Sequence, residues 1–383
     1  MANTLTNLIP VMYKGMDIAR RELVGLIPSV DIDAAAAAAA VNQTIRTPVI
    51  PVATTGNVTP GQQPPDDGDQ TIGYLDMAVT KSKYSAIRWS GEEIRGYSDN
   101  GQFEMTLARQ FAESVRALTN EVEADLAALF VNASRAYGTA GAAPFASDLS
   151  DPANVLKILL DNGAPQIGDK QMVINTTAGA KLRSLATLNK ANEAGTTELR
   201  EMGRLLDIHG FVIRESAAVK TSTTQAAATG YVVDGAHTAG DTSITVKTGT
   251  AEIKAGTIIT IADDAGSHKY VVAANYAGGA GDLSINAPGL VNAVATGKAI
   301  TVATTSYAAN MAFERNAVKL LARTPAMPDG GDSADDITII TDPVSGLSFQ
   351  VAMYRLYRRI KYEVGLAWGV KTIKPEFMAL LLG

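Results

Sequence analysis

At 383 residues with a formal net charge of -6, the chain can support more than one hydrophobic core and lacks the basic surplus that grips nucleic acid or an anionic membrane. Cysteine is absent, excluding disulfides, thiolate nucleophiles and cysteine metal sites, and aromatics at 6% are too sparse for base- or sugar-stacking platforms. No apolar run reaches roughly 18 residues, and Lys14, Asp17, Arg20, Arg21 and Glu22 follow Leu8, Ile9, Val11 and Met12 too closely for a secretion signal.

The spacing predicts a short amphipathic helix over Pro10 to Leu26, with Pro10 in its first turn and Pro28 behind it. Ala34 to Ala40 follow Asp33 and favour helix by intrinsic propensity, so residues 1–44 read as an N-terminal arm with an alanine filler. From 45 to 95 the period changes. Two extended stretches, Ile45 to Val52 and Tyr74 to Trp89, flank the polar tip Thr59 to Asp69 and form a long two-stranded arm. Such a hairpin is marginal by itself, so it leans on its own sheet or on a neighbouring copy.

Phe103, Leu107, Phe111, Val115, Leu118, Val122, Leu126 and Leu129 recur at spacings of four and three, which predicts one long helix over Gln102 to Tyr137. It would reach roughly 50 Å and organise a unit spanning 96–150. Over 151–220 helix and strand alternate: a helix from Asp151 to Leu160, a strand at Gln171 to Ile174, and a helix capped by Asn175 or Thr176. A glycine-punctuated strand over Gly203 to Ser216 ends this part.

Arginine vanishes over 221–304, where Thr, Gly, Ala and Val dominate and short apolar runs alternate with turns. That pattern predicts a small all-β barrel or sandwich inserted into the chain. Over 305–383 the earlier composition returns: Tyr307 to Arg323 reads as a helix leading into a strand. Strands follow at Ile337 to Ile340, Leu347 to Tyr357 and Arg359 to Gly365, and the apolar end runs from Phe377 to Leu382.

Motifs for chemistry are missing. His209, His237 and His268 are far apart, without a ligand partner at helical or hairpin spacing. Asp66, Asp67 and Asp69 have part of a calcium-loop spacing without its closing glutamate. Glu92 and Glu93, adjacent on an expected strand, would face opposite sides. Neither a phosphate loop nor a G-x-S-x-G elbow occurs. The expectation is no enzyme, with no catalytic, cofactor or metal site.

The order of arm, long hairpin, long helix, α/β part, β insertion and returning strands resembles the tailed-phage major capsid proteins of the Hong Kong 97 type. Three stretches carry it: Tyr74-Leu75-Asp76-Met77-Ala78-Val79 through Trp89-Ser90-Gly91-Glu92-Glu93, Gly203 to Ser216, and Asn310-Met311-Ala312-Phe313-Glu314-Arg315-Asn316-Ala317-Val318. The insertion, with Ile253 to Ala262, further resembles the short-tailed phage coat proteins of the P-22 type, though it is shorter than expected for them.

The resemblance implies an α+β fold with an extended loop at 45–95, a peripheral domain at 96–150 holding the spine helix 102–137, and an axial domain at 151–220. The β insertion is 221–304, and axial and peripheral strands return at 305–383. It implies identical subunits in pentamers and hexamers around double-stranded DNA held non-specifically. Scaffolding and portal proteins would be partners, a decoration protein an optional one, with assembly in the host cytoplasm and no membrane. A start close to the arm helix implies a separate scaffold. On this reading Asp66, Asp67 and Asp69 face basic residues of a neighbour, and Arg88, Trp89, Arg109 and Arg116 are the other inter-subunit candidates. An encapsulin-like compartment is the alternative of the same fold. An extracellular adhesin or carbohydrate-binding protein is the alternative of another class.

Overall fold

The computed structural model describes residues 8–18, 24–49, 53, 55, 71–99, 101–185, 188, 207–222, 225, 228–328, 330–343 and 345–383. Helix α1 (Ile9–Ile18) and a 3-10 turn at Ile27–Ser29 precede β1 (Asp31–Ala39). The alanine run is therefore a strand. It pairs in parallel with a later strand from Asp31↔Lys319 to Ala39↔Pro325, with an irregularity between Ala34 and Ala38. Alanine's helix preference, a few tenths of a kcal/mol per residue, yields to ladder hydrogen bonds. The Arg323 guanidinium, 9% exposed, secures the strand by donating to both the carboxylate and the carbonyl of Asp33.

β2 (Thr44–Val49) and β3 (Gly73–Ala78) form a separate two-stranded antiparallel sheet, and β4 (Lys81–Ser90) leaves it for the body. Residues 91–95, expected to continue the arm, instead open helix α2 (Gly91–Asp99). Ser90 and Glu93 make a capping box: the Glu93 carboxylate accepts the Ser90 N–H and O–H, and Ser90 Oγ accepts the Glu93 N–H. Those bonds hold the Glu93 carboxyl below its ordinary pKa. Glu92 and Glu93 are thus first-turn helix residues, which replaces the strand expectation.

Helix α3 (Phe103–Ala127) has 25 residues, shorter than the span expected over 102–137. It tightens into a 3-10 turn at Ala128–Asn132, and Arg135–Tyr137 form β5. β5 bonds on both edges, to β-strands from the chain's end and from the β module, an opportunity that continued helix would forgo. Next come α4 (Ser150–Asp161), β6 (Lys170–Ile174), α5 (Thr176–Ser184), capped by Asn175 Oδ1 on the Ala178 N–H, and β7 (Phe211–Glu215). Residues 203–206 of the glycine-punctuated stretch lie outside the described residues.

The module holds β8 (Thr229–Val233), β9 (Ser243–Thr250), β10 (Ile258–Ile261), β11 (Lys269–Val271), β12 (Gly281–Ser284) and β13 (Ala299–Val302). The chain then forms β14 (Ala309–Glu314), β15 (Val318–Pro325), β16 (Asp336–Thr341), β17 (Ser348–Leu356), β18 (Arg359–Thr372) and β19 (Met378–Leu382). The helix expected within Tyr307 to Arg323 is two strands joined by a 3-10 turn at Arg315–Ala317. All six residues of β14 are buried between β6 and β19, and a short run apolar on both faces does not distinguish a central strand from a buried helix.

Two sheets carry the body. In one, the long β18 pairs with β4 along one edge, while β17 and then β15 share the other. The second runs β12-β9-β8-β13-β10-β11-β5-β19-β14-β6-β7, so that the module joins the body through β11 and β5. Within the module the Val272↔Ile285 bridge and the Ala273 N–H to Ser284 carbonyl bond bring the β11 end against β12. Its core, including Tyr231, Ile244, Ile259, Tyr270 and Leu283, is a cluster of its own, apart from those under α3 and around α4 and α5. The fold is mixed α/β with few helices and many strands.

Candidate assembly surfaces

Helix α3 is fastened to β4 by two matched periodicities. Lys81, Lys83, Ser85 and Trp89, alternate residues on β4, meet Asp125, Glu121, Ser114 and Gln110, which lie four and seven residues apart on one stripe of α3. Lys81 Nζ is 2.7 Å from Asp125 Oδ1, Lys83 Nζ 2.7 Å from Glu121, and Ser85 Oγ donates to Ser114 Oγ at 3.0 Å. The Trp89 indole N–H donates to Gln110 Oε1 at 2.8 Å, and that of Trp368 on β18 to Asp125 Oδ2 at 2.8 Å. The other side of α3 takes α1, whose Gly15 lies so near the helix that a Cβ there would come 2.6 Å from the Ala108 carbonyl oxygen.

Glu123, 2% exposed on α3, accepts the N–H groups of Gly25, Leu26 and Ile27 and the hydroxyl of Ser216 at 2.7 to 3.0 Å. One carboxylate ties the N-terminal segment and the end of β7 to the long helix. Periodicity treated Glu123 as one of several charges between apolar positions, and no local signal marks it as buried.

Among the described residues, the β2–β3 hairpin meets the body at its base and through Lys371 Nζ of β18, which donates to the Asp76 carbonyl at 2.9 Å. Met77 and Ile45 pack with Ala39, Val79, Leu321 and Ala367. Outward, Tyr74 and Asp76 are exposed, with Tyr74 at 63%. Arg46 bonds Asp76 at 2.9 Å and stacks its guanidinium 5.4 Å from the Tyr74 ring centre. The Arg46 hydrogen bond holds the Asp76 carboxyl below its ordinary value. Asp66, Asp67 and Asp69 lie outside the described residues.

At the opposite end of β4, the turn between β17 and β18 exposes Arg355, Leu356, Tyr357, Arg358 and Arg359. Leu356 is 53% and Tyr357 86% exposed, and a cleft of about 960 Å³ separates the turn from α2. Arg355 is 3.6 Å from Asp335, whereas Arg358 and Arg359 have no ion-pair partner among the described residues. Arg358 has φ 55°, a left-handed conformation that suits glycine better than arginine. Alternating readings of β17 and β18 passed over this turn, although a Leu-Tyr-Arg-Arg run between two long strands is a visible signal.

The structure brings the sequence candidates together only in part. Arg88 is exposed on the face of β4 turned away from α3, and Arg109 is exposed on α3; neither has an ion-pair partner among the described residues. Arg116 pairs with Glu113 at 3.3 Å. Trp89, expected at an inter-subunit contact, is 5% exposed and packs edge-on against Tyr97 and Phe103 within its own chain. Burial and the Gln110 bond account for it as core. Among the described residues, no group of three His, Asp or Glu side chains could hold a metal ion, and no helix is long and apolar enough to cross a membrane.

No family model matches the chain, and no curated protein matches it. Solved structures do resemble it. The capsid of the cyanophage P-SCSP1u shares 12% identity at a TM-score of 0.47, covering 95% of this chain and 90% of that one. A capsid of a native GTA particle shares 11% at 0.46, covering 94% and 90%. A virus-like particle from Pyrococcus furiosus shares 10% at 0.43, covering 99% and 100%.

Proposed function

We propose that the chain is a self-assembling shell subunit: a major capsid protein of the Hong Kong 97 type from a tailed phage, without catalytic chemistry of its own. One observation carries the reading. Among the described residues Gly73 and Tyr74 of the β2–β3 hairpin are exposed while its apolar packing on the body is confined to Met77 and Ile45, and a two-stranded sheet of that kind needs another surface for stability. A neighbouring copy supplies one, and closed symmetry satisfies every such contact. The helix α3 and β4 ladder then serves as a stiff strut from the hairpin base to the basic turn at Arg355 to Arg359.

On this reading copies form pentamers and hexamers around double-stranded DNA in a virion, with scaffolding and portal proteins as partners. The acidic residues Asp66, Asp67 and Asp69 meet basic groups of a neighbour, for which Arg358 and Arg359 join Arg88 and Arg109 as candidates. The six-stranded module is the inserted barrel of the P-22-type arrangement, supported by its separate core and by the bridge between its terminal strands. Negative-stain electron microscopy of the purified chain, alone and with scaffolding genes from its own neighbourhood, tests the proposal. Icosahedral shells or capsomer sheets are expected; a monodisperse monomer under every condition overturns it.

A further inference from the structure

The face of the β4–β18–β17 sheet turned away from α3 is built in rows. Tyr84, Gly365 and Gln350 lie opposite one another across the three strands; the next rows are Ala86, Glu363 and Ala352, then Arg88, Lys361 and Tyr354. At Gly365 the end of β15 crosses this face so closely that a Cβ would come 3.0 Å from Pro325 Cγ. Beside the crossing opens a cleft of about 240 Å³, bordered by Tyr84, Tyr354 and Met327 and, on its polar side, by Gln350, Glu363 and Asp332. Lys83 also borders it, but its ammonium turns to Glu121 on the α3 face.

The cleft is rich in acceptors. Gln350 is 8% exposed, and its Oε1 is buried with no hydrogen-bond partner among the described residues, a standing cost to the fold that a donor from outside removes. Asp332 accepts the Tyr354 hydroxyl and Glu363 accepts Lys361, and each carboxylate can take further donors. The sheet already holds one cation in these surroundings: Lys361 Nζ lies 5.0 and 5.2 Å from the ring centres of Tyr84 and Tyr354. Two carboxylates and an unpaired oxygen thus stand against a single ammonium that is itself bonded. The volume falls below the roughly 300–1,000 Å³ of small-molecule sites and suits one long side chain. A guanidinium matches the chemistry, with coplanar donors for carboxylate and amide oxygens and a flat face for a tyrosine ring.

Arg358 offers such a group, exposed at the β17–β18 turn without an ion-pair partner among the described residues. It cannot reach the Gln350 end of its own cleft, because β17 from Gln350 to Leu356 alone spans roughly 20 Å. We propose that the cleft receives the Arg358 side chain of a second copy, whose guanidinium donates to Gln350 Oε1 and to the carboxylates beside it. A turn seated on a sheet face is a heterologous contact, which repeats from copy to copy and closes into rings. The inference rests on the shell reading and deepens it: Arg358 is assigned to this cleft, leaving Arg88, Arg109 and Arg359 for the acidic hairpin tip.

The test is a charge swap in the full-length chain, with assembly followed by light scattering and thermal unfolding measured on unassembled subunits. Asp332→Arg and Arg358→Glu should each raise the critical subunit concentration about tenfold, the loss of one charge-assisted hydrogen bond, and the double variant should assemble better than either single one. Gln350→Leu should leave the free subunit as stable or more stable, since no unpaired oxygen remains, and still weaken assembly. Wild-type shells with unaffected single variants, or a double variant no better than the singles, overturn the inference and leave the shell reading standing. A wild-type chain that stays monomeric under every condition overturns both. Saturable binding of agmatine to free subunits, abolished by Gln350→Leu while the charge variants assemble normally, would assign the cleft to a free small cation and overturn the docking.

Discussion

Glu123 shows how much one side chain can hold. Its two oxygens accept three backbone N–H groups and a hydroxyl from segments nearly a hundred residues away on either side. Glu123→Ala leaves those donors buried and unsatisfied, and should cost about 3 to 5 kcal/mol, since donors to a charged group lose both the bond and their solvation. Glu123→Gln retains one oxygen but turns an amide N–H₂ toward donors, and should fall between. Urea unfolding checks both; equal stability of wild type and Glu123→Ala would remove Glu123 as the fastening of the N-terminal segment. Gly25 belongs to the same joint, because a Cβ there would come 2.5 Å from the Glu215 carbonyl oxygen. No sequence rule exposes such a residue, since its environment is made by chain that arrives from elsewhere.

At the scale of elements, sequence patterns were reliable where an element's own period decided it. The apolar stripe of α3 from Phe103 to Leu126 and the Asn175 cap of α5 were visible locally. They failed where a neighbour decided. Ala34 to Ala39 became strand because β15 offered a ladder, the end of the long helix became β5 because two edges were open, and β14 was hidden by being apolar on both faces. The hairpin provides a test at this scale. Met77, 2% exposed, is its main anchor, so Met77→Ala should cost about 2 to 4 kcal/mol as a cavity at the base. Proteolysis within the hairpin should accelerate while cleavage elsewhere stays unchanged. Acid acts on the same arm. Arg46 depresses the Asp76 pKa below its ordinary 3.8, so the ion pair contributes fully above that value and is lost as pH falls through the depressed one. Protection factors of the β2 and β3 amides, exchange rates taken relative to the intrinsic rate at each pH, should therefore fall below about pH 4, and Asp76→Asn should remove that fall.

For the whole molecule, the question is whether the exposed ends of the β4 and α3 strut serve the fold or a neighbour. Arg358 separates these possibilities. In one chain its side chain lies 5.6 Å from the Tyr357 ring centre and has no ion-pair partner among the described residues, while its backbone occupies a conformation that glycine adopts without strain. Arg358→Gly should therefore leave the free subunit equally stable or about 1 kcal/mol more stable, by relief of the left-handed penalty. A turn required only to join β17 to β18 would tolerate the change everywhere. If the turn docks on an acidic surface of the next copy, Arg358→Gly should slow assembly and raise the critical subunit concentration, most at low salt where charge attraction is least screened. Arg359→Glu should act in the same direction and more strongly, by replacing attraction with repulsion. Light scattering during assembly, read beside thermal unfolding of unassembled subunits, measures both quantities on one preparation. Unchanged assembly with raised subunit stability would assign the basic turn to solvent and leave the hairpin as the surface that needs a partner.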